Sequence, residues 1–302
     1  MSAELIVDAR NAVGECPVWV PEENALYWVD IPAGGLQRWS AENGHVHAWK
    51  TPQMLACIAR QADGSWVAGM ESGFFQLHPH NDGSLDSQVL ANVDHARTDM
   101  RLNDGRCDRQ GRFWASSMVL NMGANIAEGA LYRYSASQRG PVEAQLGGFI
   151  VPNGLGFSPD GRTMYLSDSH PLVQQIWAFD YDIDSGTPTN RRLFVDMNQF
   201  CGRPDGAAVD AEGCYWTCAN DAGLIHRFTP DGRLDRSLTV PVKKPTMCAF
   251  GGSRLDTLFV TSIRPGDDHD EQSLAGGVFA LNPGVTGLPE PLFNDSLTEL
   301  NR

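Results

Sequence analysis

The sequence predicts an all-β fold, a six-bladed β-propeller with four antiparallel strands in each blade. Three observations predict it: a short strand motif that recurs six times, a turn signal before most copies, and a further pair of strands after each copy. The aromatic residues that mark the motif are 38, 48, 51, 51 and 43 residues apart. A period of about 50 residues is typical of propeller blades, which close radially and leave few strand edges exposed. The marker aromatics are Trp28, Trp66, Trp114, Tyr165, Trp216 and Phe259.

Each marker lies in a run of aromatic and β-branched residues, which favour strands. A turn signal precedes five of the runs, at 23–24, 63–64, 110–111, 160–161 and 212–213, and SRLD at 253–256 precedes the sixth. Two more strands are predicted in each unit, as at 35–40 with 45–50 and at 224–229 with 234–240. The six runs are LYWVD (26–30), SWVAG (65–69), FWASS (113–117), MYLSD (164–168), YWTCA (215–219) and LFVTS (258–262).

Six such units account for the chain, so residues 1–302 are expected to form one propeller domain. A large β-sandwich or an irregular barrel is the alternative, but neither explains so long a period. No long helical pattern competes, because the best candidate, around residues 93–99, is shorter than three turns.

Composition and charge exclude several classes of protein. With 23 basic and 37 acidic residues the net charge is −14, which repels nucleic acid and anionic membranes. No apolar stretch is long enough to span a membrane, and the N-terminus lacks the pattern of a signal peptide. The seven cysteines form no C-x-x-C pair and no disulfide framework, so a cytoplasmic location is expected. Nothing in the sequence indicates the oligomeric state.

Several candidate ligand groups are better explained as structure. Cys214 and Cys218 share a strand face without a third partner and are expected in the core. The pairs His45/His47 and His78/His80 fall in predicted outer strands or loops, where a solvated role is favoured. The acidic run at 267–271 lacks the alternating ligands and the glycine of a calcium loop, so a solvated loop is predicted.

The repeat also predicts a site, because the first strand of every blade lines the central channel. Counting 11 to 13 residues back from each marker gives one channel position per blade: Glu15, Leu55, Asn103, Asn153, Asp205 and Thr246. Asp and Asn are depleted in strands, so their presence here indicates function. The dipeptides around Asn153 and Asp205 could instead be hairpin turns, but a better-placed turn follows each, so their glycines are expected to permit close backbone approach. Glu15, Asn153 and Asp205 together suit a hard or borderline divalent cation.

These residues carry a resemblance to a known family. The segments GECPVW (14–19), RLNDG (101–105), PNGLGFS (152–158), RPDGAAVDAEG (203–213) and FGG (250–252), with the stretch at 168–182, resemble the gluconolactonase and regucalcin family of sugar lactonases. The resemblance implies a six-bladed propeller with one divalent metal in its channel. It implies that Glu15, Asn153 and Asp205 bind the metal, that Asp205 is also the catalytic acid/base, and that Arg101 and Asn103 bind sugar hydroxyls.

One position departs from the family. Animal members have a glutamate shortly after the third marker strand, whereas this chain has Asn121, so the departure concerns the substrate and not the reaction class. Arg101 and Asn103 share a strand face by the period of two, although a surface salt bridge is the alternative for Arg101. His170 is either a residue at the channel mouth or a satisfied loop histidine. An oxygen-only site accepts calcium, zinc, manganese, magnesium or iron, whereas a nitrogen and sulfur zinc site is disfavoured.

The predicted function is metal-dependent hydrolysis of an aldonolactone, gluconolactone-like or pentonolactone-like, to the aldonic acid, with a small sugar lactone as the only predicted partner. The alternative is a calcium-binding or regulatory propeller with little turnover. A protein-interaction propeller of the WD-repeat type is disfavoured, because the repeated W-D and G-H signatures are absent.

Overall fold

Six four-stranded antiparallel sheets surround a channel in the computed structural model, which describes residues 3–137, 140–266 and 273–294. The predicted six-bladed propeller is confirmed. Five blades are built from consecutive strands: β2 (Gly14–Val20), β3 (Ala25–Asp30), β4 (Gly35–Ser40), β5 (Val46–Lys50); β6 (Leu55–Arg60), β7 (Trp66–Met70), β8 (Gly73–Pro79), β9 (Leu85–Asn92); β10 (Met100–Cys107), β11 (Phe113–Val119), β12 (Gly129–Tyr134), β13 (Ala144–Phe149); β14 (Pro152–Phe157), β15 (Thr163–Asp168), β16 (Gln175–Asp182), β17 (Thr187–Asp196); β18 (Arg203–Val209), β19 (Tyr215–Asn220), β20 (Leu224–Phe228), β21 (Leu234–Thr239).

The sixth blade joins the two ends of the chain. It contains β22 (Pro245–Gly251), β23 (Thr257–Ser262), β24 (Val278–Leu281) and, as its outermost strand, β1 (Glu4–Val7). Strand β1 pairs antiparallel with β24, so the ring is closed by backbone hydrogen bonds between the N-terminal and C-terminal parts of the chain. The sequence pattern did not predict this closure.

Helical structure is confined to short 3-10 turns in the residues that the structure describes. They are Pro21–Glu23, Met122–Ala124 and Met197–Gln199, and residues 93–99 form no helix. The acidic run at 267–271 lies outside the described residues.

A turn forms before each of the six marker strands, at the five predicted positions and also before the sixth. Each has a hydrogen bond from the fourth residue back to the first carbonyl, as in Gly161 to Ser158 and Leu255 to Gly252. The fourth residue has positive φ in every case, which glycine and asparagine adopt at low cost. These residues are Asn24, Gly64, Gly111, Gly161, Gly213 and Leu255.

The marker aromatics fill the space between neighbouring blades. The four marker tryptophans are fully buried, and Tyr27 packs on Trp66 of the next blade with ring centroids 4.7 Å apart. The indole of Trp216 donates to Asp210 at 2.8 Å, and that of Trp114 donates to Tyr181 at 3.1 Å. This packing holds the blades in a fixed relation, and with them the inner strands that line the channel.

Candidate metal centre and active site

The six predicted channel positions all lie at or near the beginning of an inner strand. Each inner strand contacts the inner strand of the next blade, so these positions form a ring around one end of the channel. In every inner strand the pairing register with the second strand shifts at this position, as between Leu102 and Gly105 or between Pro204 and Ala207. A bulge frees a residue from the regular ladder and re-aims its side chain. The repeated bulge therefore explains how strand residues come to present polar side chains to the channel.

Asp205 is held by two amides from different directions. Its Oδ1 accepts a hydrogen bond from Asn153 Nδ2 at 2.5 Å, and its Oδ2 accepts one from Asn220 Nδ2 at 2.7 Å. Asn153 belongs to the blade before it, and Asn220 ends the second strand of its own blade. The structure thus brings the predicted pair Asn153 and Asp205 together, and it adds Asn220, which the repeat analysis missed because it lies on a second strand.

The side-chain oxygen of Asn153 is also oriented. Asn153 Oδ1 accepts from the N–H of Gly154 at 3.0 Å, which leaves a second lone pair on that oxygen. Gly154 has φ +62°, and a Cβ there would lie 2.8 Å from the Asp205 carbonyl oxygen. The glycine therefore permits close approach between two blades, as predicted, and residues 152–157 are strand rather than a hairpin turn.

Glu15 enters the site from the first blade on an unusual backbone. The next residue, Cys16, has φ 46°, a left-handed conformation that is rare for a side chain other than glycine or asparagine. Cys16 N–H donates to Glu15 Oε2 at 3.1 Å, and Cys16 Sγ accepts from Ile58 N–H at 3.3 Å. These contacts hold the bulge that turns Glu15 into the channel.

Burial makes the carboxylates of the site costly to ionise. Desolvation raises the pKa of Glu15 well above its ordinary value, and the negative charges of Asp205 and Asp104 raise it further. Burial raises the pKa of Asp205 to about 7, although Arg203 and the hydrogen bond from Asn220 lower it. A cation at this point would offset the unfavourable negative charge on both groups.

Arg101 and Asn103 lie together beside this group. Arg101 Nη1 donates to Asn103 Oδ1 at 2.8 Å and to the Leu102 carbonyl at 2.8 Å, and Asn103 Nδ2 donates to the Pro152 carbonyl at 3.1 Å. These bonds run along the channel wall rather than to an acidic surface residue, which weighs against the surface salt bridge. Burial lowers the pKa of Arg101 to about 10, while the charge of Glu15 raises it, so the guanidinium stays charged near neutral pH.

Asp104 is a third buried carboxylate that the sequence analysis did not assign. Its side chain is in the channel wall with 5% exposure, and its Oδ2 accepts from Leu155 N–H at 2.8 Å. Its Oδ1 has no hydrogen-bond partner among the described residues. Burial raises the pKa of Asp104, while the positive charge of Arg106 lowers it. A signal was present in the sequence, because Asp104 follows the channel position Asn103 directly.

The side-chain oxygens of this site suit a divalent cation that prefers oxygen ligands. Within residues 3–137, 140–266 and 273–294, no three His, Cys, Asp or Glu side chains are grouped to hold a metal ion. A centre therefore needs the amide oxygen of Asn153 together with Glu15 and Asp205, which is a ligand set suited to calcium, magnesium or manganese. In addition to burial, the negative charge of Asp104 raises the pKa of both Glu15 and Asp205, which further favours a cation there.

Two further predicted positions lie at the same end of the channel. Asn121 is exposed and caps the 3-10 turn that follows β11, accepting from Gly123 N–H at 3.1 Å. His170 is buried at the start of the loop after β15, where its N–H donates to Asp168 at 3.0 Å and its Nδ1 accepts from Leu172 N–H at 3.2 Å. Those bonds favour the role of a satisfied loop histidine.

Cysteines and histidines elsewhere behave as expected from the sequence. Cys214 and Cys218 are buried, and the described cysteines form no disulfide. His47 lies on outer strand β5, and His80 makes an exposed ion pair with Asp86 at 3.0 Å. No helix in the described ranges is long and apolar enough to cross a membrane.

Fold and site together define a propeller whose channel carries a carboxylate and amide cluster. The chain belongs to the SMP-30/gluconolactonase/LRE-like family, whose profile matches residues 13–264. It is 39% identical over 292 residues to a 6-deoxy-6-sulfogluconolactonase of Pseudomonas putida, covering 95% of this chain and 97% of that protein. It is 34% identical over 294 residues to regucalcin of Sus scrofa, with 95% and 96% covered.

A solved structure shows the same architecture. The calcium-binding protein regucalcin of Agrobacterium tumefaciens superposes with a TM-score of 0.87 at 26% identity, covering 97% of each chain. The resemblance to the gluconolactonase and regucalcin family is therefore confirmed over nearly the whole chain.

Proposed function

We propose that this protein is a metal-dependent hydrolase that opens a sugar lactone to the corresponding aldonic acid. The observation that carries the proposal is the hydrogen bond between Asn153 and Asp205 of neighbouring blades, with buried Glu15 of the first blade close enough for its charge to interact with that of Asp205. The family and the name of the Pseudomonas relative support a lactone as the substrate class. The pair Arg101 and Asn103 beside this point supplies donors for sugar hydroxyls.

Glu15, Asn153 and Asp205 would hold the cation, which would act as a Lewis acid toward the lactone carbonyl and make nearby water more acidic. Calcium, zinc, manganese, magnesium and iron are all candidates for an oxygen-only site. Burial raises the pKa of both Glu15 and Asp205. A bound cation would allow both carboxylates to remain ionised near neutral pH.

Asp205 is proposed as the acid/base. One of its oxygens accepts a proton from the water whose oxygen attacks the lactone carbonyl carbon. When the bond between that carbon and the ring oxygen breaks, the proton passes from Asp205 to the ring oxygen, which becomes a hydroxyl group. The amides of Asn153 and Asn220 fix the carboxylate during both transfers. An Asp205→Asn variant that kept its metal and near-normal turnover would contradict this role.

Arg101 is proposed to bind substrate. Its guanidinium has donors in a rigid plane, and only part of them are used by Asn103 and the Leu102 carbonyl. Asn103 is oriented by Arg101 and by the Pro152 carbonyl, so its amide is positioned before substrate enters. Pre-oriented donors reduce the entropy lost when a sugar binds.

The experiment is a hydrolysis panel followed with a pH indicator, before and after chelation and with each candidate cation restored. The substrates are gluconolactone, galactonolactone, xylonolactone and arabinonolactone, with 6-deoxy-6-sulfogluconolactone added because of the Pseudomonas relative. We expect turnover of at least one lactone, its loss on chelation, and recovery with a divalent cation. Cation binding without hydrolysis of any lactone would instead favour a calcium-binding or regulatory propeller with little turnover; the Agrobacterium relative is named as a calcium-binding protein.

A further inference from the structure

The far end of the channel is crossed by the C-terminal segment, residues 282–294. Its backbone is bonded to the rest of the propeller at four points: Thr286 O accepts from Ala211 N–H at 3.0 Å, Gly287 N–H donates to Leu255 O at 2.8 Å, Phe293 N–H to Arg60 O at 2.8 Å, and Asn294 N–H to Gly111 O at 2.9 Å. These partners belong to the fifth, sixth, second and third blades. The segment therefore runs from one side of the ring to the other.

Glu290 lies in the middle of this crossing, between Pro289 and Pro291. Its Oε1 is 3.2 Å from Nη2 of Arg106, whose side chain is only 9% exposed. Arg106 belongs to inner strand β10, and its Nη1 donates to the carbonyls of Leu155 at 3.1 Å and Ala207 at 3.0 Å on the next two inner strands. A buried guanidinium needs an acidic partner, and the C-terminal segment supplies one.

Asp104 connects this ion pair to the candidate metal centre. It precedes Arg106 by two residues on β10, and both side chains bond to Leu155 of the next inner strand: Asp104 Oδ2 accepts from the Leu155 N–H at 2.8 Å, and Arg106 Nη1 donates to the Leu155 carbonyl at 3.1 Å. Leu155 lies two residues after Asn153, and, in addition to burial, the negative charge of Asp104 raises the pKa of both Glu15 and Asp205. A row of charged groups thus leads along the channel from the carboxylates of the centre, through Asp104 and Arg106, to Glu290 at the far end.

We infer that Glu290 is a positioning residue for the metal centre: by pairing with Arg106 it offsets a positive charge that would otherwise oppose cation binding and draw Asp104 away. This inference rests on the proposed metal-dependent function. Charges inside the protein are poorly screened, so the influence of Glu290 extends beyond its contact with Arg106. The C-terminal segment is then part of the site although it contributes no ligand.

The test is the calcium affinity of three proteins, measured by isothermal titration calorimetry: wild type, Glu290→Gln and Glu22→Gln. Glu22 is an exposed glutamate that lines the same groove as Glu290, so its variant controls for loss of one negative charge at this face. We expect the dissociation constant to rise about fivefold or more in Glu290→Gln and to stay unchanged in Glu22→Gln. Because buried charges are poorly screened, the difference should persist when the salt concentration is raised.

A double variant, Arg106→Gln with Glu290→Gln, separates charge from structure. It removes both charges, so calcium affinity should return to the wild-type value or exceed it, with folding verified by the melting temperature. Wild-type affinity in the Glu290→Gln single variant, or a double variant as weak as the single, would overturn the inference. If the wild-type protein binds no divalent cation at all, the proposed metal-dependent function fails and the inference fails with it.

Discussion

Asn153 Nδ2 and Asp205 Oδ1 lie 2.5 Å apart, although the two residues are 52 positions apart and belong to neighbouring blades. The contact exists because inner strands β14 and β18 are adjacent and both bulge at the same level of the channel. A propeller places equivalent residues of successive blades side by side, so a repeat in sequence becomes a cluster in space. The candidate metal centre is a direct result of that geometry.

Replacing Gly154 by alanine should disrupt this contact. The added Cβ would lie 2.8 Å from the Asp205 carbonyl oxygen, and alanine is strained at φ +62°. We expect cation affinity and hydrolysis to fall at least about tenfold, with a loss of about 1–3 kcal/mol in the free energy of unfolding. Gly147→Ala is the matched control, since a Cβ there meets nothing within 4 Å. Similar behaviour of the two variants in calorimetry and activity assays would refute the prediction.

Removing the amide of Asn220 should impair catalysis while leaving the fold intact. Asn220→Ala deletes the hydrogen bond to Asp205 Oδ2 and so releases one side of that carboxylate. Because this bond lowers the pKa of Asp205, its loss should raise the pKa and move the acidic limb of the kcat profile to higher pH. We expect kcat to fall about tenfold, with the melting temperature changed by only a few degrees. An unchanged pH profile would show that Asn220 does not act through Asp205.

The cation should stabilise the protein more at higher pH. The pKa of Asp205 is raised by burial to about 7 in the folded state, against about 3.9 for an unfolded chain. The folded state therefore retains protons that the unfolded state has lost, so the cation-free protein loses stability as the pH rises from about 4 through 7. The raised pKa of Glu15 acts in the same direction. Melting temperatures measured with chelator and with calcium should differ more at about pH 8 than at about pH 5; equal increments would contradict the prediction.

Arg101 should be needed for substrate binding and not for metal binding. In Arg101→Ala the donors beside Asn103 are lost, and we expect KM to rise about tenfold or more, with calcium affinity retained or increased because a positive charge near Glu15 is removed. Arg97→Ala is the control, because Arg97 is an exposed arginine four residues earlier that pairs with Asp99 at 2.8 Å. A loss of calcium binding in Arg101→Ala, or equal effects of the two variants on KM, would oppose a substrate-binding role.

Much of this architecture could be predicted because the repeat depends on the properties of neighbouring residues in the sequence. The marker aromatics, the turns before them and the channel positions each depend on a few adjacent residues, and the structure has all three where the pattern indicated them. Even the sixth turn, which lacks a glycine signal, forms with Leu255 at φ 55°. Local signals of this kind recur because each blade requires the same types of strand and turn residues at equivalent positions.

Other features depend on contacts between distant segments, which a single sequence does not reveal. The pairing of β1 with β24 joins residues near the two ends of the chain, and either strand alone is indistinguishable from an ordinary outer strand. From the sequence, Glu290 would be expected to be an ordinary surface glutamate. Its ion pair with Arg106 arises only because the C-terminal segment crosses the channel. Asn220 likewise lies on a second strand, and only the closeness of that strand's end to Asp205 gives it a role.

The proposed lactone hydrolysis depends on Glu15, Asn153 and Asp205 forming one metal centre. The most direct test of this dependence is a calcium titration by calorimetry of wild type and of Glu15→Gln, Asn153→Ala and Asp205→Asn, with lactone turnover measured on the same samples. We expect one cation for each wild-type chain, and at least about a tenfold loss of affinity and of turnover in every variant. Wild-type affinity and turnover in any one of the three would contradict it.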